Sequence, residues 1–282
     1  MKTFGKRLGT GEKAGHKRMA EVGVVFDVQP PPGPRTPEQI MGRSPGQPAA
    51  GPRAVSRWYT ADITAGRAAT ISAVFDQADR RDPARQRTWI ALVDGDPHQI
   101  AAIRDRAARR GISITILIDF IHVLEYLWKA AWCFHAPRDP AAGTWVTDRA
   151  LAILHGRAGE VTDLIEALAL THPPEPGSEH DKQISKTLSY LTAKQPYLDY
   201  PAALAAGWPI ATGVIEGACR HLVNDRMGIT GARWGLPGAE AILRLRAIRA
   251  NGDLDAYWAH HIRQEHQRNH LSRYQASHAL AA

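Results

Sequence analysis

Two apolar runs in this chain each end in an aspartate. The run at residues 89–93, Trp-Ile-Ala-Leu-Val, leads into Asp94-Gly95-Asp96-Pro97-His98, and Ile116-Leu117-Ile118 leads into Asp119, with His122 three residues on. Carboxylates at the carboxyl ends of neighbouring parallel strands stand where α/β sheets gather their ligands. Hard oxygen donors suit Mg2+ or Mn2+ better than zinc. The chemistry such ions serve is in-line attack on a phosphodiester.

Each of these residues also has a plainer use. Asp94 serves equally well as a turn or cap residue before Gly95, and Asp96, just ahead of Pro97, reads as a helix N-cap. Asp119 and His122 face one side if a helix begins at Phe120. They then bind a metal together, or the carboxylate orients the histidine, or they are a cap and a packed ring. His98 and Glu125 read as surface residues.

A third dense stretch runs from Gly207 to Gly235. Glu216, Arg220 and Asn224 stand at i, i+4 and i+8 and so share one face of a regular helix. Glu216 lies near the start of that helix, where unpaired N–H groups favour negative charge. A structural Glu216–Arg220 pair, worth about 0.3–0.5 kcal/mol if exposed, explains two of the three without catalysis. The glycine-rich flanks suit close backbone approach by a bulky partner. Arg226, Arg233 and Trp234 add cations and an aromatic ring, a set that fits phosphate contacts and base stacking or packing on its own loop. Two carboxylates from strands and one from a distant helix would hold two divalent ions about 4 Å apart.

The elements that must position these groups follow from periodicity. A strand at 89–93, a helix at 99–110 stopped by Gly111 and a strand at 112–118 form a β-α-β unit, hence a parallel pair covered by a helix. Upstream, 1–20 is a basic lead-in and 21–28 a short strand. Residues 30–52, dense in proline and glycine, read as a loop or linker that sustains no helix, with Arg35 and Arg43 as solvated charges. Residues 55–81 show an amphipathic pattern that puts Ile63, Ala68, Ile71, Val74, Phe75 and Ala78 on a buried side. Downstream, helices are predicted near 121–134, 142–153, 156–170 and 178–193, with breaks at 173–176 and Pro201. Further helices start near Val214 and span 237–251, and 253–274 reads as a surface helix.

Composition narrows the partners. The 282 residues carry a net charge of +7 and are 44% hydrophobic, enough for one large domain or two smaller ones. The basic balance weakly favours a polyanion. Two cysteines, Cys133 and Cys219, without a Cys-x-x-Cys pair, exclude a disulfide scaffold and support no zinc site. The basic N-terminus has no apolar core of signal-peptide type, and no apolar run reaches membrane-spanning length. The expectation is a soluble cytoplasmic protein with no membrane partner.

Several segments resemble the bacterial ISKra4-type insertion-sequence transposases: Val-Asp-Gly-Asp at 93–96, Ile-Asp-Phe-Ile-His-Val-Leu-Glu-Tyr-Leu-Trp-Lys-Ala-Ala at 118–131, Ala-Gly-Trp-Pro-Ile-Ala-Thr-Gly-Val-Ile-Glu-Gly-Ala-Cys-Arg-His-Leu-Val at 206–223 and Arg-Met-Gly-Ile-Thr-Gly-Ala-Arg-Trp at 226–234. The similarity extends to 17–27 and to the tail, and so covers nearly the whole chain. It implies a DDE-type enzyme with an RNase H-like fold that cuts and joins DNA using Mg2+ or Mn2+. Asp94 then matches the second acidic residue and Glu216 the third, both as metal ligands. Asp119 and His122 match a supporting Asp/Cys-x-x-His motif, and Arg220, Asn224, Arg226, Arg233 and Trp234 are the DNA-binding residues. The first catalytic aspartate of the family lies ahead of the segment matching 21–26, and no aspartate precedes Glu21 here. The resemblance therefore implies the C-terminal portion of a transposase, with weakened metal binding and impaired catalysis.

The expected fold is α/β: an incomplete RNase H-like mixed sheet with a large all-helical insertion and C-terminal helices. Its parts are a lead-in, strand and linker at 1–55, an αβαβ core part at 56–122, the helical insertion at 123–205, core helices bearing the third acid at 206–252 and a tail at 253–282. The partners implied are DNA, as element ends and target, and a second copy in a homo-oligomer, at the nucleoid. The alternative is a non-catalytic DNA-binding or interaction protein that uses the basic surface from Arg220 to Arg233.

Overall fold

The computed structural model describes residues 18–42, 51–229 and 234–271. In chain order these form β1 (Glu21–Gln29), α1 (Pro37–Met41), β2 (Arg53–Asp62), α2 (Gly66–Arg81), β3 (Trp89–Val93), α3 (Pro97–Arg109) and β4 (Ile114–Ile118). A helical series follows: α4 (Phe120–Phe134), α5 (Pro140–Leu154), α6 (Ala158–Thr171), α7 (Glu179–Lys194), a 3-10 turn (Gln195–Tyr197) and α8 (Tyr200–Ala205). Next come α9 (Gly213–Ala218), a π-helical stretch (Cys219–Asn224), α10 (Asp225–Met227), α11 (Leu236–Asn251), α12 (Leu254–His266) and a closing π-helical stretch (Gln267–Leu271). The fold is mixed α/β, with two small sheets, a large helical insertion after β4 and C-terminal helices. Among the described residues, no helix is long and apolar enough to cross a membrane.

The chain divides into two compact units. The first comprises the described residues of Met1–Phe26, Ser56–Arg81 and Val214–Ala282, and the second those of Asp27–Val55 and Asp82–Gly213. In the first, Tyr59 and Ala61 of β2 pack with Ala218, Leu222 and Leu243, flanked by Val22 and Val24 of β1. Side chains of α11 then satisfy the backbone of β2. The Tyr59 N–H donates to Asn251 Oδ1 at 2.7 Å, and Asn251 Nδ2 donates back to the Tyr59 carbonyl at 3.0 Å. The Ile63 N–H donates to Glu240 Oε2 at 2.7 Å, while Arg244 bridges Glu240 and Asp62.

The second unit is built mainly on helices. Helix α4 lies against α5 and α7, and α6 touches both of those. Val123, Leu127, Ile153, Leu154, Ile165 and Leu191 are fully buried among them, each contributing about 1.5–3 kcal/mol. Aspartates cap four of its helices: Asp96 caps α3, Asp119 caps α4, Asp139 caps α5 and Asp199 caps α8. The approach to β3 is fixed by Asp82, which accepts from the Gln86 and Arg87 N–H groups and from the Trp89 indole at 3.0 Å. The indole hydrogen bond leads the influences that hold the Asp82 carboxyl below its ordinary pKa.

Three expectations need correction. Residues 53–62 form a strand, although the amphipathic pattern was read from 55 onward. The outer half of β2 is exposed on both faces, so its sequence shows no alternation, and β-propensity in Val55, Trp58, Tyr59 and Thr60 decides instead. The proline-rich segment 30–52 does hold a helix, α1. Thr36 and Gln39 form a capping box there, and Pro37 sits in the first turn, where its missing N–H costs nothing. On α2, Thr70 is buried and Ala68 is exposed.

Replacing Asn251 with alanine strands both backbone groups of Tyr59. Unfolding in urea should show a loss of roughly 1–2 kcal/mol. A depressed Asp pKa adds stability that is complete above the unfolded value and is lost as pH falls through the folded one. Asp82→Asn should therefore flatten the acid limb of a stability-against-pH curve, followed by tryptophan fluorescence.

Candidate functional site

The parallel register puts Val93 opposite Ile118, so Asp94 and Asp119 are the next residues at the carboxyl ends of adjacent strands. The Asp119 N–H extends the ladder by donating to the Val93 carbonyl at 2.8 Å. From there the two side chains diverge. Asp94 is exposed, and its Oδ1 accepts the Asp96 N–H at 2.9 Å in a tight turn. Gly95 makes that turn possible, with φ at +99°; a Cβ there would lie 3.1 Å from the Tyr190 ring and hydroxyl. Tyr190, from α7, donates its hydroxyl to the Asp94 carbonyl at 3.0 Å and stacks on Tyr126 of α4 with ring centroids 3.8 Å apart. Burial, then the neighbouring Tyr126 and Asp94, push the Tyr190 phenol well above its ordinary pKa, so it remains a donor. The helical layer thus holds the Asp94 turn in place.

Asp119 is 1% exposed. Its Oδ1 accepts the Ile121 N–H at 2.8 Å, and its Oδ2 accepts both the Thr212 N–H at 2.8 Å and the Thr212 hydroxyl. Alongside, the Phe120 N–H donates to the Ile210 carbonyl, and the Tyr200 hydroxyl donates to the Ile118 carbonyl at 2.9 Å. Both oxygens of Asp119 are engaged, so the residue caps α4 and ties down residues 210–212. His122 is half-buried, with Nδ1 3.8 Å from Glu125 Oε2, and Glu125 also lies 3.7 Å from Lys129 Nζ. His98 and Glu125 are exposed.

In the other unit, Glu216 stands exposed in the first turn of α9. The structural Glu216–Arg220 pair, the plainer alternative for these two residues, does not form. Beyond Ala218 the helix widens to π geometry, and Arg220 Nε lies 3.9 Å from Asp225 Oδ1, five residues on. The Arg220 side chain is 82% exposed, and Asn224 is exposed as well. Arg226 places its guanidinium 5.0 Å over the Trp234 ring. Arg233, like Arg43, lies outside the described residues. Burial first, with Glu216 second, raises the pKa of the Cys219 thiol, and burial raises that of Cys133. Both cysteines are free and half-buried.

Among the described residues, no group of three or more His, Cys, Asp or Glu side chains is placed to hold a metal ion. Of the acidic residues singled out in the sequence, Asp94 and Glu216 are the exposed ones and Asp119 is buried and fully engaged. Three supports of the Asp94–Asp119 edge, Tyr190, Tyr200 and Thr212, carried no signal in the sequence. The nearest hint was the run of tyrosines at 190, 197 and 200 in a segment otherwise read as plain helix. No family model, no curated protein and no solved structure matches the chain.

The two aspartates should respond differently to truncation. Asp119→Ala should cost roughly 2–4 kcal/mol in urea unfolding, since it strands buried donors and removes a cap. Asp94→Ala, at an exposed turn, should cost less than about 1 kcal/mol.

Proposed function

We propose that the chain is an insertion-sequence DNA transposase of DDE type, acting on phosphodiesters with Mg2+ or Mn2+. The observation that carries the reading is the treatment of Asp94. An exposed turn residue needs no stacked tyrosine pair behind it, yet Tyr190, stacked on Tyr126, holds the Asp94 backbone carbonyl at the carboxyl end of a parallel strand pair. Clamping of that kind fixes a ligand or reacting group, at a position where α/β sheets carry their chemistry. The resemblance of 93–96, 118–131, 206–223 and 226–234 to ISKra4-type transposases supports the same reading, as does an RNase H-like interpretation of the β-α-β unit.

In this proposal the resemblance assigns Asp94 and Glu216, each within its own unit, as carboxylates that would ligate a divalent ion. When bound, the ion activates a water or a 3′-hydroxyl and neutralises charge at the phosphate. Asp94 offers the oxygen not used by its own turn. Asp119 is a positioning residue, which holds residues 210–212 while α4 carries His122 beside it. Arg220, Asn224, Arg226 and Trp234 supply phosphate contacts and a stacking face, with Arg233 assigned by sequence alone.

A second reading, non-catalytic DNA binding, is favoured by the high exposure of Arg220 and by the Arg226–Trp234 stack. One experiment separates the two. The purified chain is incubated with supercoiled plasmid and Mg2+ or Mn2+, and binding to a labelled duplex is measured over a salt series. The transposase reading expects metal-dependent nicking that falls by about a hundredfold or more in Asp94→Asn and Glu216→Gln. Nicking unchanged in both variants overturns it. Absence of nicking, with salt-dependent binding weakened in Arg220→Ala and Arg226→Ala and unchanged in Asp94→Asn, selects the second reading.

A further inference from the structure

Helix α12 buries no residue among those described, although Leu254, Tyr257, Trp258 and Ile262 all lie on it. Leu254, Tyr257, His261 and Glu265 are half-buried and recur at helical spacing, so they form one face of a helix that packs on α11. A second face is open. Asp255, Trp258, Ala259, Ile262 and His266 stand at i, i+3, i+4, i+7 and i+11 and are all exposed, Trp258 by 46% and Ile262 by 64%. Large apolar side chains gathered on one exposed stripe mark a surface that meets a partner. Trp258 is also held in place from its own helix. Its ring meets those of Tyr257 and His261 edge to face, with centroids 5.4 and 5.5 Å apart. A rigid aromatic anchor loses little freedom when a partner covers it.

The charge along this helix has a direction. Asp255 lies in its first turn, and Arg263 and His266 lie in its last. A parallel helix of the same sequence would bring like groups together at both ends. An antiparallel copy, related by a two-fold axis, brings acid against base at each end, so the same contact is made twice. The register that sets Ala259 across from the partner's Ile262 also sets Asp255 across from the partner's His266. Small then faces large at the centre, and the carboxylate faces a donor at the ends. A polyanion is a poorer occupant, because the stripe presents a carboxylate and two apolar side chains.

We propose that the stripe from Asp255 to His266 is a homodimer contact, covered by α12 of a second copy running antiparallel across Trp258 and Ile262. A helix of this length spans only about 20 Å. The contact is therefore smaller than a standard interface, and the dimer it forms depends on protein concentration. Neither Asp94, Asp119 nor Glu216 takes part, so the proposal stands apart from the DNA reading.

The test is sedimentation equilibrium on the full chain, from about 1 to 100 μM, a range that brackets micromolar dissociation constants. The expected result is a reversible equilibrium between monomer and dimer. Ile262→Glu should raise the dissociation constant by about tenfold or more. Asp255→Lys and His266→Glu should each weaken the dimer, and the double variant should return it to within about threefold of the parent. Such a return is the signature of the antiparallel register, which apolar adhesion alone does not give. Every substituted side chain is exposed, and circular dichroism checks that the fold is kept. Should Ile262→Glu lose its helix, the charge exchange still decides. A monomer at every concentration overturns the proposal, as does a dimer indifferent to Ile262→Glu or a double variant no tighter than its parents.

Discussion

One buried carboxylate, Asp119, is the constraint on which the β3–β4 edge depends. A charge with 1% of its residue exposed persists only when its oxygens are saturated with donors. Here the donors come from two separate places, the first turn of α4 and Thr212. Each side holds the other: the segment at 210–212 cannot leave without stranding a buried anion, and the anion cannot turn without uncapping α4. The cost of breaking such an arrangement exceeds the gain from having made it, since an unpaired buried charge loses its solvation outright. A carboxylate used in this way is spent, and the geometry therefore separates two aspartates that look equivalent in sequence.

The helical insertion explains how so small a sheet persists. Two parallel strands of five residues each are too few to be stable alone, and parallel strands require cover. Tyr200 reaches the Ile118 carbonyl, Tyr190 reaches the Asp94 carbonyl, and the Asp82 turn fixes Trp89 at the other end of β3. Each is a polar tip on an aromatic body, so one side chain both excludes water and satisfies a polar group: a backbone carbonyl for the two tyrosines and the Asp82 carboxylate for Trp89. The helices do more than fill the space between two acidic residues. They set where the strand ends can point.

Much of this architecture was legible because it is written in local terms. β3 was placed to the residue, and the helices from α4 to α7 came within two residues at each end. Apolar periodicity, Pro breaks and Asp or Ser caps all act within one or two turns. Asp96 was read as a cap for the same reason. What escaped was decided at long range. Tyr190 and Thr212 matter only because α7 and the loop before α9 return to the strand ends, and nothing in either local sequence announces it. β2 escaped because its solvent-facing half has no alternation to read. α1 escaped because proline was counted as a breaker where, in a first turn, it is a helix former.

The π-helical stretch shows how a change of pitch alters which residues can act together. In a regular α-helix, residues four apart share a face, and Glu216, Arg220 and Asn224 would form one row. A π-helix closes its hydrogen bonds at i+5, so neighbours fall five apart. The Arg220–Asp225 approach at 3.9 Å has that spacing. Arg220 is thereby drawn toward a carboxylate on the far side of the stretch, and Glu216 keeps its charge unneutralised in the α-helical turn ahead of it. A pairing worth only a few tenths of a kcal/mol could not impose this geometry. The pitch comes first, set by Leu222 in the core beneath and by Arg246 donating to the His221 carbonyl, and the ion pair follows from it. The widened turn thus leaves Glu216 without Arg220 beside it.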